Sequence, residues 1–587
     1  MNSQNAQPRT QTYLFALTII FLVSGSFFHG FLFEEEYLVG AIVAFGVLSV
    51  LYFKHRILHD PALYFLLVCV CSYAVSLSYA INKQDALLEA IKIAFVAAIY
   101  LIFKHLNPAT NDRALRVLLG TSFAAVVIGI AGDRFYDDRL AGFLDYANAQ
   151  GLLLAVCSII AQALYMTGRQ GRYLGAHFAF VMALGLTQSR TAMLLWALSQ
   201  IILYTAARKK YFGLWLRVLI GTFLGIMGSV AFGQSVWAAL LIIAISGVFV
   251  WKQAAFSVGL SRSVAAAAGA VAVTWAGWQL YAGGLSRWEK FGLSATEWQS
   301  RLVYYRDALG MSLDAVWTGY GGGGWAQLQY EYQSSDYFVR YVHNQLLQVA
   351  TDTGLIGTVS FIGFVSVLLY RGIYELRNAP EERKLIQWGR LCASAAIVVH
   401  SLVDFVLAYP FLFGVFFLLN GRFMVPEDDN RTENRGISGA FRIAGILLVS
   451  LIIMITSGLS LISGSYIRTA SELLRNEKPA DAVRSLDKSI KLALFADQAH
   501  DRKSKIYFQE YLQSRDQRYL AVAKEENSQA LQTNPSQIWY LKLQSDILWE
   551  QGEREKSIRI LEDLTTKNPF ESRWWEELKR RRMQLSK

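Results

Sequence analysis

Charged residues are scarce in this 587-residue sequence, where Asp, Glu, Lys and Arg make up only 17% of the chain. Soluble domains usually hold about 25% charged residues, whereas hydrophobic residues reach 54% here. An ordinary soluble protein is therefore excluded. The length also excludes a single domain, because one hydrophobic core stops growing near about 250–300 residues.

Cysteine and histidine are also rare, with four and eight copies. The cysteines lie within apolar runs, away from histidine clusters and without metal-ligand spacing, so we predict that they are small buried hydrophobes. They are Cys69, Cys71, Cys157 and Cys392. A phosphate-binding P-loop is excluded as well, since Gly-Lys-Ser/Thr does not follow Gly321–Gly324.

Apolar runs fill most of the chain up to residue 464. A membrane-spanning helix needs about 20 apolar residues, and by that measure the runs predict about fifteen spans. They lie near 13–33, 37–53, 61–81, 86–103, 114–131, 148–167, 173–188, 191–207, 214–232, 235–251, 264–281, 345–370, 387–407, 409–424 and 442–464. The first run precedes no signal-peptide cleavage pattern, which predicts a retained anchor.

Basic residues set the predicted orientation. The net charge of +11 comes from short clusters between apolar runs rather than from one basic face, so it does not indicate nucleic-acid binding. With the N-terminus inside, most Lys and Arg of the membrane region fall in inner connections, as the positive-inside rule requires. The short outer connections hold only Lys83, Lys92, Arg134, Arg139 and Arg190. The long loop after residue 281 and the C-terminal tail are then predicted to lie outside.

The predicted fold is an all-α polytopic membrane bundle in four parts: spans over 1–281, an outer loop over 282–344, spans over 345–464, and a helical-repeat domain over 465–587. In the tail, Asn534-Pro535 and Asn568-Pro569 stand 34 residues apart. This is the period and punctuation of a tetratricopeptide repeat. We predict a small external solenoid, a type of fold that often binds a protein partner.

The outer loop carries three local patterns. Residues 296–314 predict an amphipathic helix whose apolar stripe packs on the membrane-embedded body; the stripe is Trp298, Leu302, Tyr305, Leu309 and Leu313. Aromatic residues crowd the stretch 288–341, where they could form an interfacial belt or stack on sugar rings. Gly321–Gly324 predicts a close-approach turn.

Three arginines stand on the predicted outer side: Arg139, Arg190 and Arg301. Each could anchor the chain at lipid headgroups. Together they could instead hold a diphosphate, because the guanidinium makes bidentate contacts and keeps its charge. Arg306 flanks the same apolar stripe as Arg301, and periodicity does not choose between these two.

His343 stands at the outer mouth of a predicted span, beside Asn344. A lone histidine is commonly structural, but this one lies on the same side as the three arginines, where a general base would be needed. Glu34–Glu36 and Asp137–Asp138 could bind a divalent metal, although a solvated acidic run is the simpler interpretation. His400 and Asp404 could form a proton relay, take a supporting role at the site, or make an interhelical hydrogen bond.

Four stretches in this order resemble the O-antigen ligase and O-antigen polymerase superfamily, over roughly residues 13–425. They are Arg139–Gly142 followed by Asn148; Leu186–Ala192; Arg301 to Gly324; and His343–Gly357. The sequence departs from the family at Val316-Trp317-Thr318, where a proline usually precedes the loop glycine. The last span and the tail lie outside the resemblance.

The resemblance implies a membrane-embedded glycosyltransferase that needs neither metal nor cofactor. It would move a glycan from an undecaprenyl diphosphate carrier to a hydroxyl of an acceptor glycan, lipid or protein, at the outer face of the cytoplasmic membrane. Arg139, Arg190 and Arg301 match the phosphate-handling arginines, and His343 matches the essential histidine, which would act as the base in an inverting displacement. We assign Asn344 to substrate binding with Arg139 and Arg190. A transporter or flippase of lipid-linked sugar is the alternative from another class.

Overall fold

The structure is a computed structural model that describes residues 3–54, 60–207, 212–232, 240–247, 295–421 and 437–586. Apart from one hairpin of two-residue strands, Phe135–Tyr136 (β1) and Arg139–Leu140 (β2), the regular structure in those ranges is helical. The first nine helices are α1 Ser3–Phe27, α2 Glu34–Lys54, α3 Pro61–Ser76, α4 Lys83–Phe103, α5 Pro108–Ala131, α6 Ala147–Gly168, α7 Gly171–Thr187, α8 Arg190–Ala207 and α9 Phe212–Phe232.

The helices of the second half carry the loop and the tail. They are α10 Ala295–Asp314, α11 Gly324–Tyr332, α12 Gln345–Asn378, α13 Glu381–Ser401, α14 Pro410–Asn420, α15 Ile437–Arg475, α16 Pro479–Leu492, α17 Asp497–Ser514, α18 Gln517–Thr533, α19 Ile538–Glu550, α20 Arg554–Lys567 and α21 Ser572–Leu585. The predicted loop helix over 296–314 is α10, so its existence is confirmed.

Eight of the described helices are long and apolar enough to cross a membrane, namely α1, α2, α4, α5, α6, α9, α12 and α15. This confirms the predicted all-α polytopic membrane protein. Five other predicted spans coincide with α3, α7, α8, α13 and α14, which are shorter or carry more polar residues. The predicted span 264–281, most of 235–251 and the loop start at 282–294 lie outside the described residues.

The described chain forms two compact units. The first contains residues 1–33, 99–298 and 365–431, and α6 is its central helix. Every residue from Ala147 to Ala163 is buried, because α6 is apolar on all sides and α7, α8 and α13 pack around it. The fully buried α14 belongs to the same unit. Cys157 and Cys392 are buried here as predicted.

The second unit contains residues 34–98, 299–364 and 432–587. Its long helix α15 packs against α2 and then against α16 in the tail. The helix runs without a break across the predicted boundary at residues 464 and 465. Cys69 is buried in this unit as predicted, whereas Cys71 is exposed.

The tail consists of α16–α21, in which each helix packs against the next. Asn534 and Asn568 end α18 and α20, and each Asn-Pro pair opens the connection to the following helix. Gly552 turns the chain between α19 and α20 with φ +83°. The regular structure of the described tail is therefore a series of helices, and its assignment to a tetratricopeptide-like repeat stays a prediction.

Candidate active site

The loop helix α10 buries the opposite face from the one that the sequence predicted. Four of the five residues in its apolar stripe face outward, since Trp298, Leu302, Leu309 and Leu313 are exposed, whereas Tyr305 packs against a buried cluster of the loop. Ala308 and Met311 are instead fully buried, and Arg301 and Asp307 are largely buried beside them. The prediction that the stripe packs on the protein body was therefore wrong. In a membrane protein an apolar face can lie against lipid, so the amphipathic pattern alone does not identify the inner face.

This packing separates the two arginines that periodicity could not distinguish. Arg301 lies on the buried face of α10 and is only 9% exposed, while Arg306 is exposed. An anchor at lipid headgroups needs an exposed guanidinium, so the surroundings of Arg306 fit that reading better than those of Arg301, and the role of Arg301 stays a prediction. Arg301 stands one helical turn before Tyr304 and Tyr305 on the same helix.

His343 adopts a left-handed backbone conformation, with φ +60°. This conformation costs a non-glycine residue about 1–2 kcal/mol, so the surroundings must hold it in place. The Tyr305 hydroxyl donates a hydrogen bond of 2.9 Å to the His343 carbonyl oxygen. The Tyr304 ring lies beside the imidazole, with ring centroids 6.1 Å apart. The turn of α10 that follows Arg301 therefore contacts His343 directly.

Asn344 forms the N-terminal cap of α12. Its side-chain Oδ1 accepts hydrogen bonds from the backbone N–H groups of Leu346 (3.0 Å) and Leu347 (3.2 Å). Such a cap satisfies N–H groups that the helix itself cannot pair. The cap also fixes the start of α12 immediately after His343. Substrate binding by Asn344 stays a prediction.

The glycine turn makes the predicted close approach. Gly319, Gly321 and Gly323 have φ of +63°, +86° and +77°, which glycine adopts without penalty. A Cβ at Gly321 would lie 2.5 Å from the Cβ of Ala80, and one at Gly322 would lie 2.5 Å from the Cβ of Glu89. Any side chain at these positions would push the turn away from α4 and the residues before it.

The turn also docks on α12 where that helix kinks. Gly354 has φ +64° and ψ −157° inside α12. The backbone of the turn fills the kink: Tyr320 N–H donates to the Thr351 carbonyl (2.8 Å), and Leu355 N–H donates to the Val316 carbonyl (2.7 Å). Val316-Trp317-Thr318 therefore forms a tight turn without the proline that the family usually has.

The segment between α11 and His343 is held by α11, a helix that sequence reasoning missed. The buried Trp325 donates its indole N–H to the Val339 carbonyl (3.1 Å). The Gln329 side chain bonds both backbone groups of Val339, at 3.0 and 2.9 Å. Asp307 of α10 accepts hydrogen bonds from Tyr337 (2.7 Å) and the Ser334 N–H (2.9 Å). Burial and the hydrogen bond to Asp307 raise the pKa of Tyr337, so its hydroxyl remains a donor.

Much of the aromatic crowding in the loop is thus internal packing. The rings of Tyr304 and Tyr337 are in contact at 4.5 Å between centroids, and Tyr337 stacks on Trp325 at 6.5 Å. Trp317 and Phe338 are exposed. Together with Trp298, these exposed rings are available to a sugar or to lipid.

The acidic run at the start of α2 makes ion pairs. Glu34 lies 3.7 Å from Arg340, and Glu35 pairs with Arg468 of α15. Both carboxylates remain partly exposed, so these solvated acidic residues also take part in ion pairs. Asp137 and Asp138 form the left-handed turn of the β1–β2 hairpin. Among the described residues, no group of three His, Cys, Asp or Glu side chains is arranged to hold a metal ion.

In the first unit, Arg139 contacts the end of α7, close in sequence to Arg190. Arg139 lies in β2, where its Nε donates to the Thr187 carbonyl (3.0 Å) and its Nη2 donates to Asn148 Oδ1 (2.6 Å). Thr187 ends α7, and Arg190 begins α8 three residues later. Arg139 thus holds the end of the segment that leads to Arg190.

Asp404 orients the Asn148 side chain that binds Arg139. The sequence had left three roles open for this residue. Its buried carboxylate accepts hydrogen bonds from Asn148 Nδ2 (2.7 Å), the Tyr146 hydroxyl (2.9 Å) and the Phe405 N–H (2.8 Å). Because α13 ends at Ser401, Asp404 lies in the bend that follows and does not share a helix face with His400, so these hydrogen bonds join that bend to the start of α6. Because Asn148 binds Asp404 through its nitrogen, its oxygen is directed at Arg139.

Residues 230–362 match the family model described as O-antigen ligase. The matched stretch contains α10, the glycine turn, α11 and the start of α12, and hence Arg301, His343 and Asn344. Arg139 and Arg190 lie before it. No curated protein matches this chain. The family match suggests a glycan-transfer function for this membrane protein, of the glycosyltransferase type.

Proposed function

We propose that this protein transfers a glycan from an undecaprenyl diphosphate-linked donor to an acceptor hydroxyl at the outer face of the cytoplasmic membrane. One observation carries the proposal: within the stretch that matches the O-antigen ligase model, a buried Arg301 and a strained His343 are joined through a single helical turn. The acceptor hydroxyl belongs to a glycan, a lipid or a protein.

The proposed reaction is one direct displacement at the anomeric carbon of the donor sugar. The acceptor oxygen forms the new glycosidic bond while the bond to the diphosphate breaks, which inverts the anomeric configuration. The acceptor proton passes to the imidazole of His343. The leaving group departs as undecaprenyl diphosphate, and its negative charge has to be stabilised rather than protonated.

Arginines supply that stabilisation without a metal ion. Fixed cationic donors aimed at developing charge are worth most where water is excluded, and Arg301 is the most buried of the three predicted phosphate ligands. Arg139 and Arg190 are assigned to donor binding. The hydrogen bonds from Arg139 to Thr187 and Asn148 fix the plane of its guanidinium before a donor arrives, which reduces the entropy lost on binding.

The outward stripe of α10 supports a position at the lipid surface. An amphipathic helix with exposed Trp and Leu residues lies in the interface with its apolar face toward the acyl chains. Arg301, on the other face of the same helix, would then stand at the depth of lipid phosphates. That is the depth at which the diphosphate of a lipid-linked donor is found.

The test compares three variants in liposomes that contain lipid-linked donor. His343→Asn keeps a residue that tolerates the left-handed conformation but loses the base, so the transfer rate should fall about a hundredfold or more. Arg301→Lys keeps the charge but loses the bidentate fork and should be severely defective. Arg306→Lys, exposed on the same helix, is the matched control and should be near normal. Normal rates for both His343→Asn and Arg301→Lys, at normal membrane levels, would refute the mechanism.

A further inference from the structure

The two asparagines that mark the 34-residue period of the tail both contact the loop. Asn534 and Asn568 are 1% and 5% exposed. The side-chain oxygen of Asn534 accepts a hydrogen bond from Gln327 Nε2 (3.1 Å), and that of Asn568 accepts one from Gln333 Nε2 (3.3 Å). Both glutamines are buried, and they lie within α11 and directly after it. The residues that follow α18 and α20 thus bind α11 and the residue directly after it.

Further contacts surround these two amide pairs. Gln537 of the tail donates to Gln327 Oε1 (3.2 Å), so both ends of the Gln327 amide are bound by the same turn. Tyr330 of α11 packs against a buried apolar cluster of the tail. This cluster consists of Ile538, Ile558, Leu561, Leu564, Trp574 and Leu578. Polar contacts at both ends and an apolar contact between them are typical of a specific binding surface.

The contact is held in place from the tail side as well. The Asp497 carboxylate accepts hydrogen bonds from the Tyr540 hydroxyl (3.1 Å) and from Asn534 Nδ2 (3.5 Å). With its nitrogen directed at Asp497, Asn534 presents its oxygen to Gln327. The amide orientation at this contact is therefore set within the tail itself.

α11 also contacts the residues directly before His343, and so links the tail to that residue. Leu328 of α11 shares a buried cluster with Val342, the residue before His343, and with Ala308 and Met311 of α10. The same helix binds Val339 through Trp325 and Gln329. A displacement of α11 would therefore move the segment that ends at His343.

We propose that the tail is an intramolecular brace whose binding surface is occupied by α11 of the same chain. In this assignment Gln327, Gln333, Asn534 and Asn568 are positioning residues for His343. The protein partner predicted for the tail is then the chain's own loop. The effect on catalysis rests on the proposed function, whereas the brace itself does not.

Hydrogen exchange of the full chain in lipid nanodiscs tests the brace without reference to activity. Gln327→Ala and Asn534→Ala should each raise amide exchange in residues 334–343 about tenfold. The double variant should raise exchange little further, because the two changes remove the same contact. Gln529→Ala is the matched control, since Gln529 bonds Glu525 on its own helix, and it should leave the loop protected. Unchanged exchange over 334–343 in both single variants would overturn the brace.

Transfer kinetics provide the second measurement. If the brace positions the base, Gln327→Ala and Asn568→Ala should lower kcat about tenfold and leave KM for the donor unchanged. Asn568→Asp keeps an oxygen that can accept from Gln333 and should restore kcat. Loop exchange that rises while kcat stays at the wild-type value would overturn the positioning role. If the wild-type protein shows no transfer activity while the variants show the expected changes in hydrogen exchange, the proposed function is refuted and the brace is supported.

Discussion

Gly354→Ala is the substitution for which the structure gives the most definite expectation. Gly354 sits at the kink of α12 with φ +64° and ψ −157°, a region that is essentially restricted to glycine. A Cβ there would lie 2.4 Å from the carbonyl carbon of Trp317 and 2.6 Å from the nitrogen of Thr318. Both atoms belong to the backbone, so rotation of a side chain cannot relieve the clash.

Two contributions to the free energy of unfolding can be worked out from this geometry. The backbone conformation costs a residue with a Cβ about 1–3 kcal/mol. Forcing an extra carbon into a filled space costs about 1–3 kcal/mol more. Because native proteins are stable by only about 5–15 kcal/mol, the sum is a large fraction of the total. The glycine turn should also lift away from α12, since its bonds to Thr351 and Leu355 flank the clash.

The measurement is thermal stability in detergent, read as the fraction that remains monodisperse after heating. Gly310→Ala is the matched control, because Gly310 is an exposed position of α10 with no atom within 4 Å of an added Cβ. That change should be neutral or raise stability by up to about 1 kcal/mol. Gly354→Ala should lower the midpoint by several degrees. A midpoint equal to or above that of Gly310→Ala would refute the close approach of the turn to α12.

Three other predictions concern metal, topology and pH. Transfer by the purified protein should continue in excess EDTA, and loss of activity that Mg²⁺ or Mn²⁺ restores would contradict stabilisation by arginines. A reporter after Lys587 and a labelled Asp336→Cys, with Cys71 replaced, should lie on one side of the membrane, because tail and loop contact each other, and the positive-inside rule predicts that this side is external; a cytoplasmic C-terminus would contradict this orientation. Burial alone would raise the pKa of Glu526, but hydrogen bonds from His500 and Lys503 outweigh it and the pKa is lowered. Ionised Glu526 therefore stabilises the folded tail at pH values above its unfolded pKa near 4.5. That stabilisation is lost as the pH falls through the lower pKa of the folded state. Exchange protection of the tail should therefore fall in acid, and less so in Glu526→Gln.

Features with a local signal could be predicted from the sequence. Apolar runs of membrane-spanning length predicted most of the helices, and a period of 3.6 predicted α10 to within one residue. The glycine run and the Asn-Pro pairs marked turns because their backbone requirements are local. The family resemblance pointed to Arg301 and His343, which both lie in the matched stretch, and their roles stay predictions.

Features that depend on distant contacts could not be predicted. Hydrogen bonds from Gln327 to Asn534 and from Asn148 to Asp404 join residues more than 200 positions apart, and such pairs leave no periodic trace in one sequence. The inner face of α10 was misassigned because lipid and protein interior both accept apolar side chains. The interpretation of the loop aromatics stayed open for the same reason, since a buried Trp325 and an exposed Trp317 look alike in sequence.

Because helix α15 is unbroken, the number of residues in it determines the rotation of the tail about the helix axis. Its 39 residues extend about 58 Å at 1.5 Å per residue, well beyond the roughly 30 Å of a bilayer core. The end of the helix packs within the tail through Ala470, so no flexible linker separates the two. One residue inserted after Gly458 would rotate everything that follows by about 100° and turn Asn534 and Asn568 away from their glutamines. The length of α15 between membrane and tail therefore sets the direction in which the asparagine-bearing face of the tail points.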